Sequence, residues 1–150
     1  MRALCADLRS PRIATLAPAR FDLVVANPPF RALGAGRESP DRGRRLARGG
    51  RAASLADFVA AARRYVRHGA RVAFVFAAGR IAELIATMRS ERLEPKRIRF
   101  VHPRTDAPAS VVLVEARHGG GVEAAVEPPL VLYERPGVYS AAATALLSRP

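Results

Sequence analysis

The chain has 150 residues, 49% of them hydrophobic, with a formal net charge of +12 at neutral pH. That is the size of one ordinary globular domain with enough apolar content to bury a core, and one such domain is the default expectation. No stretch approaches the roughly 18 uninterrupted apolar residues of a membrane-spanning helix, and a lone cysteine, Cys5, excludes an internal disulfide and a cysteine-cluster zinc site.

These features predict a soluble protein of the reducing cytoplasm with no membrane or metal partner. The basic balance makes nucleic acid the first partner to consider. Lys96 is the only lysine, so nearly all the positive charge is arginine, a bias that genome base composition alone also produces.

Residues 2–8 are weakly patterned and lead through Ser10-Pro11 and Pro18 to the first clear element. Phe21 to Ala26 is rich in β-branched and aromatic residues with one polar interruption, Asp22, and predicts a central strand buried on both faces. Pro28 and Pro29 end it, because neither can donate to a sheet ladder. Residues 31–51 carry seven arginines, at 31, 37, 42, 44, 45, 48 and 51, with little apolar periodicity, and read as a long basic loop.

Ser54-Leu55-Ala56-Asp57 has the spacing of a capping box at a helix N-terminus. Leu55, Phe58, Val59, Ala62 and Val66 then fall on one helical face, with Arg63, Arg64 and Arg67 off it and Gly69 as the expected stop. Val72 to Ala77 predicts a buried strand, and Ile81, Leu84, Ile85 and Met88 a second helix ending before Pro95. Arg97 to His102 and Ser110 to Ala116 predict two strands with a Pro103- and Pro108-containing turn between them. Gly119-Gly120-Gly121 breaks the chain, Leu130 to Tyr133 predicts a further strand, and Ser140 is placed to cap a terminal helix. No repeat of fixed period is present.

The order strand, helix, strand, helix, strand, strand predicts an α/β sheet that is mostly parallel with a late antiparallel strand, since the last pair lacks a helix between them. Ligands of such sheets lie beyond the carboxyl ends of the strands. Asn27 stands at such an end, followed by Pro28, Pro29 and Phe30. That tetrapeptide suits the orientation of an exocyclic amine, whose delocalised lone pair makes it a poor nucleophile. The Asn27 side-chain oxygen accepts one N–H and the Pro28 carbonyl the other, the prolines stiffen the backbone so that both acceptors converge, and Phe30 stacks on the planar group. Pro128-Pro129, preceded by Glu127 and followed by Leu130, has neither the amide nor the aromatic and reads as a plain loop.

A hydrophobic strand ending in Asn-Pro-Pro-aromatic resembles the amino-methyltransferase signature of the Rossmann-like methyltransferases. Residues 21–30, the arginine loop to Ala47-Arg48, the 55–65 helix and the segment from His102-Pro103 to Glu115-Ala116 are most similar to the bacterial "small methyltransferase" type that modifies the N6 of an adenine in valine tRNA. The resemblance implies the C-terminal portion of a Rossmann-like methyltransferase sheet in one partial domain, 1–150, with a basic loop at 31–51 and a C-terminal extension at 128–150. It implies S-adenosyl-L-methionine as cofactor, held in part by Asp7, Leu8 and Asn27, and amine methylation by Asn27, Pro28 and Phe30. The substrate is expected to be tRNA, with rRNA second, contacted by Pro29, Arg31, Arg37, Arg44, Arg45 and Arg48.

The family's first strand with its glycine-rich turn, and the acidic residue that binds the cofactor ribose, have no counterpart before the motif. Gly34-Ala35-Gly36 follows the motif and cannot serve as that turn. The chain is therefore expected to lack the N-terminal cofactor-binding part. Transfer to a guanine N2 of rRNA or to a protein glutamine uses the same motif geometry and stays open beside adenine. So does a non-catalytic, basic RNA-binding remnant of such a fold.

Overall fold

The structure is a computed structural model that describes residues 5–10, 20–29 and 53–148. The elements in chain order are β1 (Phe21–Ala26), α1 (Leu55–Tyr65), β2 (Val66–Ala77), a 3-10 turn (Ala78–Arg80), α2 (Ile81–Ser90), β3 (Leu93–His102) and β4 (Val111–His118). Short strands β5 (Ala125–Val126), β6 (Leu130–Val131), β7 (Tyr133–Arg135) and β8 (Val138–Tyr139) and a terminal helix α3 (Ala141–Leu147) follow.

The main sheet has the order β1-β2-β4-β3-β5, with β6 also on β3. β1 pairs β2 in parallel, β4 pairs both β2 and β3 antiparallel, and β5 and β6 pair β3 in parallel. Every strand of this sheet except β4 therefore points the same way, and the expected α/β sheet, mostly parallel with a late antiparallel strand, is borne out.

α1 begins as its sequence predicts. Ser54 Oγ accepts from the Asp57 N–H at 3.2 Å, and the Asp57 carboxylate accepts from the Ser54 N–H at 2.7 Å, completing a capping box. Those hydrogen bonds hold the Asp57 carboxyl below the ordinary carboxylate range. The helix ends earlier than expected: Val66 is already the first residue of β2, and Gly69, read as the helix stop, lies inside that strand at φ +77°. There it serves a register change, because β1 advances from Phe21 to Leu23 while β2 advances from Val66 to Arg71. The extra residues are accommodated by a backbone conformation that glycine adopts without strain. Pro95 likewise falls inside β3, next to an irregularity between Pro95 and Arg97, where a missing N–H disturbs the ladder least.

One core lies on one face of the sheet. Val72, Phe74 and Phe76 of β2 and Val112, Val114 and Ala116 of β4 meet Leu55, Val59 and Ala62 of α1 and Leu84 and Met88 of α2. Alternation along the strands puts these residues on the helix-covered side and sends Ala73, Val75, Leu113 and Glu115 to the other. β1 departs from the central, doubly buried strand that its composition predicts. It ends the strand order, and Phe21, Leu23 and Val25 are 46%, 45% and 65% exposed, while Val24 and Ala26 pack against the core. Both core helices lie on the Val24 side, and no other strand pairs with β1 among the described residues. An apolar sequence reports suitability for burial; the neighbours decide whether burial happens.

α3 is capped by Ser140, whose Oγ accepts from the Ala143 N–H at 3.0 Å and donates to the Val131 carbonyl at 2.6 Å. It leans over the second sheet face, where Leu146 joins Ala73, Val75, Leu113, Arg97 and Arg99 around a hollow of about 300 Å³. No helix of the described residues is long and apolar enough to cross a membrane.

His118, at the end of β4, is the one buried titratable ring among the described residues. It is 5% exposed, with Nδ1 lacking a hydrogen-bond partner there. Burial and then the charge of Arg63 hold its pKa below the ordinary imidazole value of 6.5, against a pull upward from the Arg67 carbonyl and with small contributions from His68 and Arg20. In the unfolded chain this ring protonates near pH 6.5, whereas in the fold it resists protonation until lower pH. Stability is thus full above about pH 6.5 and falls as the pH drops through it toward the folded value. Denaturant unfolding at about pH 7.5 and about pH 5 measures the loss. Substituting His118→Leu should flatten this dependence; an unchanged dependence would assign it to other groups.

Candidate functional site

In a sheet whose strands run together, chemistry gathers at their carboxyl ends. Asn27 and Pro28 follow β1 directly at this end, and the burial of the two differs sharply. Pro28 is among the fully buried side chains, whereas Asn27 and Pro29 are exposed. A rigid, fully buried ring thus anchors a turn that presents an amide to solvent. Ala26 pairs with Phe74, so β2 continues beside Asn27 as far as Ala77 before turning into α2.

α1 carries the chain from the carboxyl end of β1 back to the amino end of β2. Its N-terminus, with the Ser54–Asp57 capping box, therefore stands at the Asn27 end of the sheet. Asp7 and Arg9 lie within electrostatic range of Asp57, which brings the 7–9 segment to this end as well. The Arg9 guanidinium grips the Asp7 carboxylate at two points, Nε to Oδ1 at 2.9 Å and Nη2 to Oδ2 at 2.6 Å, and the Arg9 N–H donates to Oδ1 at 3.0 Å. Side-chain and then backbone hydrogen bonds from Arg9 lower the Asp7 pKa to about 2. The carboxylate stays charged at physiological pH and keeps lone pairs free of the clamp. Leu8 beside it is half-buried.

Of the residues singled out in the sequence, Asp7, Leu8, Asn27, Pro28 and Pro29 are thus found near one end of the sheet. Phe30, Arg31, Arg37, Arg44, Arg45 and Arg48 lie outside the described residues. Features to which the sequence reading gave no role also gather here. Arg80, after β2, pairs with Glu83 at 2.8 Å and lies 4.9 Å over the Phe76 ring. His102, at the end of β3, donates from Nδ1 to the Ala107 carbonyl at 2.8 Å. Arg104 pairs with Asp106 at 3.0 Å, holding that carboxyl below its usual range. No spacing rule links these residues; only the sheet topology brings them to a common end. Among the described residues no group of three or more His, Cys, Asp or Glu side chains is arranged to hold a metal ion.

The hollow under Leu146 is a separate feature. Its lining is mainly apolar and lies on the sheet face, with neither Asn27 nor Asp7 in it.

No protein-family model matches the chain, and no curated protein does. Solved structures do. A predicted O-methyltransferase from Agrobacterium tumefaciens superposes with a TM-score of 0.68 over 94% of this chain and 59% of its own, at 20% identity. Two structures overlap more weakly: a candidate DNA modification methylase of Thermus thermophilus, with a TM-score of 0.46, 19% identity and 81% and 55% of the two chains, and a candidate class I S-adenosylmethionine-dependent methyltransferase of Listeria monocytogenes, with a TM-score of 0.43, 13% identity and 86% and 41%. The likeness to the first is one of fold, and the chain spans about three fifths of that structure's length.

Proposed function

We propose that this chain is the acceptor-binding part of an S-adenosylmethionine-dependent methyltransferase that acts on the exocyclic amine of adenine in tRNA. The observation that carries the reading is Asn27: an exposed amide at the carboxyl end of a parallel strand, fixed by a fully buried Pro28. The shared fold with a predicted O-methyltransferase supports the class of reaction, and the motif supplies the choice of nitrogen over oxygen.

The chain's own contribution is positioning. Asn27 Oδ1 and the Pro28 carbonyl each accept an N–H of the incoming amine, which aims the nitrogen lone pair along one line and removes the entropic cost of finding it. Phe30 then stacks on the base. The cofactor supplies a methyl group made electrophilic by a sulfonium. Asp7, Leu8 and Asn27 fit one side of a cofactor site, since Asp7 is a permanent anion at the Asn27 end with acceptor capacity left for an adenine amino group. No glycine-rich turn precedes the motif in this sequence. In this proposal the rest of the cofactor is held by polypeptide that pairs with the open edge of β1 and covers Phe21, Leu23 and Val25.

Arg31, Arg37, Arg44, Arg45 and Arg48 are the residues proposed to meet RNA phosphates, and the net charge of +12 supports RNA over a protein glutamine. Deleting residues 37–51 tests this part. RNA methylation should be lost or lowered by at least about tenfold, with its salt dependence reduced. Activity that is unchanged and insensitive to salt would move the substrate to protein. The edge of β1, where no second strand pairs among the described residues, favours a second reading, a non-catalytic RNA-binding remnant of the fold.

A further inference from the structure

The two ends of the sheet are charged in different ways. At the Asn27 end the described arginines are matched by carboxylates: Arg9 by Asp7, Arg80 by Glu83 and Arg104 by Asp106. At the opposite end, Arg20 precedes β1, Arg63 and Arg64 precede β2, Arg92 precedes β3, and Arg117 is the last residue but one of the antiparallel β4. Arg67 and Arg89 at this end are matched, by Asp22 and Glu94, whereas none of these five has a carboxylate within ion-pairing distance among the described residues.

Strand register gathers them. Phe21 pairs with Val66, so Arg20 enters the sheet beside the end of α1, and Leu93 pairs with His118, while the Gly119 N–H donates to the Arg92 carbonyl at 3.0 Å. His118 feels both Arg63 and Arg20, and its ring lies 5.0 Å from that of His68. Arg117 stands directly across from Arg71 of β2, a like-charge pair that costs stability in a sheet, and on its other side from Glu94 of β3, whose carboxylate is taken by Arg89. A helix C-terminus welcomes Arg63 and Arg64 by its dipole. The C-terminus of α2 does the same for Arg92, but the argument does not reach Arg20 or Arg117, which come from two other places in the chain and add to the same field.

We propose that the amino end of the sheet, built from Arg20, Arg63, Arg64, Arg92 and Arg117, is a binding surface for the phosphodiester backbone of nucleic acid, separate from the Asn27 end. Uncompensated guanidinium groups on rigid element ends are suited to phosphate oxygens, and phosphate contacts fix register and orientation without reading bases. The six residues of β1 span roughly 20 Å at about 3.3 Å each, so a polymer held here reaches past the sheet before a base arrives at Asn27. The surface would thereby select a long or folded nucleic acid over a nucleotide. The inference needs no methyl transfer and stands if that reading fails.

Fluorescence anisotropy with labelled tRNA, and in a parallel arm a DNA duplex of equal nucleotide count, tests it as a function of salt. The triple substitution Arg20→Gln, Arg63→Gln, Arg64→Gln is compared with an equal change of charge elsewhere, Arg97→Gln, Arg99→Gln, Arg135→Gln. The patch variant should bind at least about tenfold more weakly at low salt, and its log–log salt slope should fall by about 2–3, at roughly 0.7–0.9 per lost phosphate contact. The control set should lose less than about threefold. The arm with the larger patch-dependent loss identifies the polymer. Equal losses in the two sets, or none in the patch variant, would overturn the proposal. All three patch residues lack a carboxylate partner among the described residues and Arg20 and Arg64 are exposed, so circular dichroism should show both variants folded.

Discussion

Replacing Asn27 by alanine should lower methyl-transfer turnover by about 10²–10⁴-fold, equivalent to roughly 3–5 kcal/mol of transition-state stabilisation. The side chain is exposed and no hydrogen bond within the described fold holds it, so stability should change by less than about 0.5 kcal/mol. Cofactor affinity should fall much less than turnover, because Asp7 and Leu8, proposed to share the cofactor with Asn27, and the Pro28 ring, which locks the turn, are untouched. The loss therefore belongs in kcat, the signature of an interaction made with the reacting amine. Single-turnover kinetics separates the cases: a rise in KM with kcat preserved would make Asn27 a simple binding contact. Substituting Pro28→Ala should act differently, because removing a fully buried ring disturbs the turn and lowers stability and activity together.

The second large effect is structural. Phe74 is 1% exposed in β2, between β1 and β4, and points into the face shared with α1 and α2. Phe74→Ala should cost about 3–5 kcal/mol, from lost burial together with the cavity that the rigid ladders on both sides cannot collapse. Against a typical domain stability of roughly 5–15 kcal/mol, much of the fold's margin disappears. Guanidinium unfolding should show the midpoint falling with the slope unchanged. Val25→Thr on the uncovered face of β1 offers the contrast, since at 65% exposure the change should stay within about 0.5 kcal/mol. A comparable loss at both positions would mean that Val25 is covered in the protein in solution.

Much of this architecture was legible in the sequence because short-range rules govern it. The capping box at Ser54 and Asp57, the period of Leu55, Val59 and Ala62, the terminal cap at Ser140 and the helix-free link between β3 and β4 all act over a few residues. The misreadings share a cause as well. Gly69 has the chemistry of a helix stop, but a register change between strands that meet only in three dimensions decides its role. Pro95 looks like a breaker and sits in a strand because the ladder is already irregular there. β1 has the composition of a buried strand, and no local pattern reports which neighbours it will have.

The site divides in the same way. Asn27 was legible because its chemistry is compressed into four consecutive residues. The gathering of Asp7, Asp57 and Asn27 at one end of the sheet, the matched Arg80–Glu83 and Arg104–Asp106 pairs, and the unmatched arginines at the other end all depend on topology. Charge counting sees +12; it does not see which arginines are already neutralised.

The central claim is that an exocyclic amine is the methyl acceptor and that Asn27 orients it. Its most direct test incubates the natural product containing this chain with isotopically labelled S-adenosylmethionine and unmodified tRNA, digests the RNA to nucleosides and identifies the labelled product by mass spectrometry. The account predicts labelled N6-methyladenosine that falls to near background with Asn27→Ala. Label on an oxygen, or N6-methyladenosine formed equally well by Asn27→Ala, would contradict it.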